Sequence, residues 1–284
     1  MHRRHRNLRA ALQNVSRRGA AMFALALIVA MAPFATFPLP AAAMGTSVHL
    51  LPPTDDGAAV FTNPAGLLSQ EQRNLRVDVT SDDGSGASTR SIVYSEPDMG
   101  IGAGALTYLA SPDLSRYMYT VARRLGWAAG IGVNLKYEAN STGSWWGIDL
   151  GYRYALSPAA SVGFAVENAV GSQGEGAKGA ILPRRPPTLR VGASLSNGQS
   201  VFIAGEYYDP DLNSTAIDPA YRIVAGVLLG PATVWGGVET SAGFEGLRNL
   251  LGLSLKLDGL RLNLGLRWAN EAGQTVTVGL AYHF

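Results

Sequence analysis

The charged residues of this chain recur at alternate positions within short apolar segments, and that spacing sets what they can do. Arg76 and Asp78 are two residues apart, Lys136 and Glu138 likewise, and Asp149 lies four before Arg153. In an extended chain such residues share one face. The same alternation puts Glu167, Arg190, Glu206, Arg222, Glu239, Lys256, Arg261 and Arg267 on the face opposite the greasy residues. Two chemistries suit such a face. One is a mutually paired network that solvates an interior, because a buried charge must be partnered. The other is a lining that selects a polar permeant. The mixture of signs favours the network. Catalysis finds little material. Beyond residue 43 the histidines are His49 and His283. A serine–histidine pair also needs a third group to orient the ring, and no His stands with Asp or Glu at metal-ligand spacing. There is no cysteine, so disulfides and thiolate metal sites are excluded. The expectation is a protein that is not an enzyme, with no metal and no cofactor.

The elements that carry these residues have a period of two. Trp127, Ala129, Ile131, Val133, Leu135 and Tyr137 oppose Ala128, Gly130, Gly132, Asn134, Lys136 and Glu138. Leu260, Leu262, Leu264, Leu266 and Trp268 oppose Arg261, Asn263, Gly265 and Arg267, and the chain closes on T-V-T-V-G-L-A-Y-H-F in the same manner. This pattern predicts strands with one greasy face. About fourteen such segments run from 73–81 to 274–284, with the third over 99–110. Tight turn signals such as Asn197-Gly198 and Asp258-Gly259 follow the even segments. Longer polar stretches, including Asp209 to Pro219 and Ala169 to Pro187, follow the odd ones. Trp and Tyr gather at segment ends. Full-strength apolar faces, aromatic ends and one-sided long loops together predict a transmembrane antiparallel up-and-down β-barrel rather than a soluble sandwich.

Composition agrees. The chain has 284 residues with 23 basic and 21 acidic. Six of the basic residues lie at or before Arg18, and no acid precedes Asp55, so residues 44–284 carry 17 basic against 21 acidic. The basicity belongs to the leader and gives no case for nucleic-acid binding. An apolar run from Ala20 to Ala32 follows Arg18, then Pro33, Pro38, Pro40 and Ala41-Ala42-Ala43. That run is shorter than the ~20 residues of a spanning helix. Residues 1–43 therefore read as a cleaved signal peptide, residues 44–72 as a separate N-terminal segment, and residues 73–284 as the barrel, exported to the periplasm and inserted into a bacterial, Gram-negative outer membrane as a monomer.

The segment before the first strand reads as helix, break, helix. Asp55 can cap the first helix, and Asn63 the second, with Pro64 at its first position. Asp56-Gly57-Ala58-Ala59-Val60-Phe61-Thr62-Asn63-Pro64-Ala65-Gly66-Leu67, just ahead of a series of barrel strands, resembles the start of the long-chain fatty-acid transporter (FadL) superfamily, which includes smaller PorV-like proteins. Gly163-Phe164-Ala165-Val166-Glu167-Asn168, and Leu182-Pro183 followed by Leu189-Arg190-Val191-Gly192-Ala193, are similar to strands of the smaller branch. The resemblance implies a fourteen-strand barrel with the N-terminal segment, through Asn63, Pro64 and Ala65, folded inside as a hatch. The chain is shorter than typical fatty-acid transporters and lacks their long surface loops.

The resemblance also frames the roles. Arg76, Lys136, Glu138, Asp149, Arg153, Glu167, Arg190, Arg261 and Arg267 would line the lumen. Gly100, Gly102 and Gly104, read on one face of the third strand, would make room for the hatch or bend the strand to open a side exit into lipid. Tyr282 and Phe284 look like the last-strand signal recognised by barrel-assembly machinery. The expected partners are outer-membrane lipid, that machinery, and either a small hydrophobic ligand moving passively through a porin-like lumen or a secreted-protein partner held by a PorV-like accessory.

Overall fold

Alternation of apolar and polar residues leaves each strand with one face to hide from water, and closing a sheet on itself separates the two faces. The computed structural model describes residues 57–82, 88–176, 180–197, 200–212, 219–241, 246–269 and 274–284. The expected signal peptide, residues 1–43, and residues 44–56 of the N-terminal segment lie outside the described residues, as does the proposed cap Asp55.

The strands are β1 Asn74–Asp82, β2 Ser88–Glu96, β3 Ala103–Ser111, β4 Leu114–Arg124, β5 Ala129–Asn140, β6 Gly143–Ser157, β7 Ala160–Gly171, β8 Gly174–Gly176, β9 Ile181–Leu182, β10 Thr188–Ser196, β11 Val201–Asp209, β12 Ala220–Leu229, β13 Ala232–Ser241, β14 Arg248–Leu257, β15 Leu260–Trp268 and β16 Thr275–His283. The short β8 and β9 form a hairpin added to the end of β6. The other fourteen form one closed antiparallel barrel in which each strand pairs with its neighbours in sequence. Closure is made by β1 and β16, paired from Asn74↔His283 to Asp82↔Thr275. The Phe284 N–H donates to the Arg73 carbonyl at 3.1 Å and extends the seam by one residue.

The outer wall is greasy. Leu75, Val77 and Val79 on β1, Ile131, Val133 and Leu135 on β5, and Val276, Val278 and Leu280 on β16 are all exposed. A continuous exposed apolar wall on a sheet with no free edges is the surface of a membrane-spanning barrel. Tight turns cluster at one end. Asp258 (φ +40°) and Gly259 (φ +84°) both take left-handed conformations, as a two-residue hairpin turn requires. The long connection between β7 and β10, which carries β8 and β9, lies at the opposite end.

Local structure departs from the sequence reading in three places. The third strand begins at Ala103, not at 99, because Gly100 (φ +95°) and Gly102 (φ +136°) cannot continue a ladder. The expected helices before the barrel are two 3-10 stretches, Gly57–Phe61 and Pro64–Ser69. The seventh strand runs on to Gly171 past a register shift between Ile148 and Leu150, with Asn168 at φ +54° opposite the irregularity.

Candidate functional site in the barrel lumen

The two 3-10 stretches sit against the inner face of the barrel. Asn63 caps the second: its side-chain oxygen accepts from Ala65 N at 3.1 Å, and Pro64 occupies the first turn. The Asn63 amide also donates to the Tyr152 carbonyl at 2.9 Å, tying the cap to β6. Three further bonds hold the segment. Asn134 Nδ2 donates to Val60 O at 2.9 Å, Arg124 Nη2 to Leu68 O at 2.7 Å, and Gln70 Nε2 to Ser95 O at 3.1 Å. Val60, Leu67 and Leu68 pack with Val93, Ala103, Ala105, Met118 and Ala122 of β2, β3 and β4.

This seat depends on glycines other than the ones expected. A Cβ on Gly151 would stand 2.7 Å from Pro64 Cδ and would strike the Asn63 side-chain oxygen. A Cβ on Gly132 would stand 2.8 Å from the Pro64 carbonyl oxygen, and nearer still to Ala65 N; one on Gly130 would strike Leu68. Gly100 and Gly102, by contrast, lie in the connection before β3, where the Asp98 carboxylate accepts from their N–H groups at 2.9 and 3.1 Å. Gly104 pairs with Glu96 and Val121 and shares the outward face of Val121. The three glycines therefore do not share an inward face of β3. The alternation of β5 and β6 had put Gly130, Gly132 and Gly151 on the inward side; what it lacked was the backbone that approaches them.

The charged lumen residues are joined across neighbouring strands. Arg190 on β10 reaches Glu167 on β7 at 2.7 Å and Glu206 on β11 at 2.8 Å. Arg222 on β12 reaches Glu206 at 3.3 Å and Glu239 on β13 at 2.6 Å. Glu239 also accepts from Arg248 at 3.1 Å and from Arg267 on β15. A single belt of alternating charge thus runs from β7 to β15. Buried guanidinium–carboxylate pairs of this kind hold only when every member is partnered. Across the lumen, Lys136 meets Asp149 at 2.7 Å, Arg116 meets Glu138 at 2.6 Å, and Arg76 meets Asp78 at 2.6 Å. Arg261 is inward and buried. Arg153 is inward too, beyond the reach of any carboxylate among the described residues. Arg116 and Arg248 complete these networks and were missed by sequence, although both stand at inward-facing positions of their strands.

Asp149 is a junction. It accepts from Lys136, from Asn134 Nδ2 at 3.2 Å and from the Asn168 N–H at 2.7 Å, and Asn168 Nδ2 donates to Pro186 O at 3.0 Å. Since Asn134 also holds Val60, polar bonds run without a break from the N-terminal segment to the connection carrying β8 and β9. Trp145 anchors that connection by donating to Pro183 O at 3.0 Å, with the Arg185 guanidinium stacked 4.2 Å over its ring.

Toward the long-loop end, a cavity of about 380 Å³ opens over Phe61 and Thr62 of the N-terminal segment. Arg116, Arg190, Arg222 and Arg267 face Thr80, Thr89, Ser91, Thr275 and Thr277 across it. A second apolar cluster, Phe202, Ala204, Val224, Trp235 and Leu250, also faces inward, on β11 to β14. Gly226 and Gly252 make space for the rings of Phe202 and Trp235. These residues share the inward parity of Glu206, Arg222, Glu239 and Lys256, so alternation gives their side, while their gathering into one cluster depends on the register between strands.

No family model and no curated protein matches the chain. Solved structures do match. The Ralstonia pickettii toluene transporter TbuX superposes with a TM-score of 0.60 at 14% identity, covering 81% of this chain and 94% of that one. The CymD monoaromatic hydrocarbon channel gives 0.60 at 11% identity, covering 84% and 99%. The Pseudomonas putida toluene transporter TodX gives 0.53 at 11% identity, covering 86% and 99%. The chain shares the fold of these three barrels, a closed sheet of fourteen antiparallel strands.

Proposed function

We propose that this barrel is a non-enzymatic outer-membrane transporter that passes a small hydrophobic molecule down its gradient, with the N-terminal segment as a hatch. The observation that carries the proposal is the apolar slot inside a charged lumen. Val93, Ala103, Ala105, Met118 and Ala122 have no reason to face inward in a water-filled pore. Here they are covered by Val60, Leu67 and Leu68, apolar side chains that a displaced hatch would exchange for an apolar permeant. The cavity above Phe61 is the approach to that slot. The charge belt then serves structure, since its members neutralise one another. The hydrocarbon transporters of the same fold support the choice of permeant class.

A second reading, a PorV-like accessory that holds a secreted protein, is favoured by one observation. The ladders on both sides of β3 run unbroken, from Arg90↔Ala110 to Glu96↔Gly104 and from Ala103↔Ala122 to Ser111↔Leu114. A side exit beside that strand would need these bonds to open.

Native mass spectrometry of the barrel, extracted gently from its own membranes, tests the two. A bound apolar small molecule at stoichiometric occupancy is the expected result. An empty barrel with a stoichiometric protein partner would overturn the transporter reading in favour of the accessory.

A further inference from the structure

The lipid-facing wall is not uniform. Over β2 to β6 the register lines up Ile92, Tyr108, Tyr117, Tyr137 and Trp146 in one row. Tyr108 and Tyr117 lie 4.9 Å apart between ring centroids, Tyr117 and Tyr137 6.5 Å, and Tyr137 and Trp146 4.9 Å. With Leu106 and Tyr119 beneath, this row lines an open groove of about 480 Å³ on the outside of the barrel.

The next row toward the long-loop end is different in kind. It carries Arg90, Ala110, Ser115, Ala139 and Ser144. Four of these are small, so a shelf lies directly above the aromatic row, ~7 Å away by strand rise. The fifth is an exposed arginine on the same outward face as Val79 and Ile92. The inward arginines of the belt are matched by carboxylates; Arg90 faces the membrane boundary with no ion-pair partner among the described residues. A girdle tyrosine alone needs no cation or shelf.

We propose that this face is a binding site for one phosphorylated acyl-chain lipid of the outer leaflet. The acyl chain lies in the aromatic groove, and the phosphate sits on the shelf against the Arg90 guanidinium. Charge complementarity selects the occupant. An arginine at the membrane boundary attracts anionic headgroups and pairs well with phosphate oxygens, while flat rings give apolar contact at low entropic cost. The site is separate from the lumen and does not depend on what the lumen carries.

The test is native mass spectrometry of the purified full-length mature barrel in detergent, titrated with bisphosphorylated lipid A and, separately, with dephosphorylated lipid A. The wild type is expected to bind one lipid A about tenfold more tightly than the dephosphorylated form, the scale of one charge-assisted contact. Arg90→Ser should abolish that preference. Tyr117→Ala should weaken both lipids, while Tyr221→Ala, in the Tyr207–Tyr221 pair elsewhere on the wall, should weaken neither. Heat-modifiable mobility on gels confirms that each variant is folded, and Tyr117→Leu replaces Tyr117→Ala if that variant is not. Equal binding of the two lipids by the wild type, or a preference that survives Arg90→Ser, would overturn the proposal. So would equal losses in Tyr117→Ala and Tyr221→Ala.

Discussion

Replacing Gly132 by alanine should loosen the N-terminal segment without harming the barrel. The added methyl would stand 2.8 Å from the Pro64 carbonyl oxygen and closer to Ala65 N. Relaxed contacts of this kind lie at about 3.5–4.0 Å, so something must move by at least roughly half an ångström. The strand will not yield, because β5 is bonded along its length to both β4 and β6. The turn at Pro64–Ala65 must. Overpacking of this sort costs about 1–3 kcal/mol, which raises the population of the released segment about 5- to 150-fold. Removing the cap with Asn63→Ala gives an independent measure. It deletes the bonds to Ala65 N and Tyr152 O and should cost about 1–2 kcal/mol. Amide hydrogen exchange on the barrel in detergent reads the outcome. The Gly66 N–H, bonded to Asn63 O at 2.8 Å, and the Gln70 N–H, bonded to Leu67 O at 3.0 Å, should exchange faster by those factors, while amides of the strand ladders stay unchanged. Gly104→Ala is the control, since its nearest neighbour would be Thr120 O at 3.8 Å. Unaltered exchange in Gly132→Ala, or equal acceleration in Gly104→Ala, would refute the argument that inward glycines form the seat.

Two further outcomes follow from the networks. Glu239→Gln leaves the guanidiniums of Arg222, Arg248 and Arg267 facing one another without their shared carboxylate. Because Arg248 and Arg267 are partly exposed, the loss should be about 2 kcal/mol rather than the full cost of a dry pair, read as an earlier urea midpoint for the barrel in lipid vesicles. An unchanged midpoint would mean that the belt is not structural. Deletion of Phe284 removes its ring contacts with Tyr94 and Tyr282 and the last bond of the seam to Arg73. The fraction of heat-modifiable protein in cell membranes should fall several-fold, and full assembly would count against a last-strand signal at this residue.

The Asp149 junction gives the lumen a mechanical logic. Asn134 holds the N-terminal segment and Asp149 together, and Asp149 holds the left-handed Asn168 that bonds to the outer connection. The outer connection is therefore linked to the N-terminal segment through side-chain bonds as well as through the wall. Polar networks of this kind are rigid when every member is satisfied.

Much of this molecule was legible in its sequence because a strand's two faces are fixed by a period of two, a property of each residue and its near neighbours. That suffices to place Lys136, Asp149, Arg190 and Arg267 inward, to place Leu75 and Val278 outward, and to number the strands of a closed barrel. Asn63 and Pro64 announced their cap in the same local way. What only the tertiary structure decided is everything that depends on register between strands. Glu239 gathers Arg222, Arg248 and Arg267 from three other strands, and no spacing along the chain predicts that. Gly132 and Gly151 have no side chains, so sequence cannot say that another backbone lies against them, whereas the left-handed conformations of Gly100 and Gly102 took them out of the strand they were read into. Trp235 and Leu250 share the inward parity of Glu239 and Lys256, but that they meet each other and Phe202 in one cluster is decided only when the barrel closes. Alternation assigns a side; which groups meet there is set by how the strands are staggered when the sheet closes.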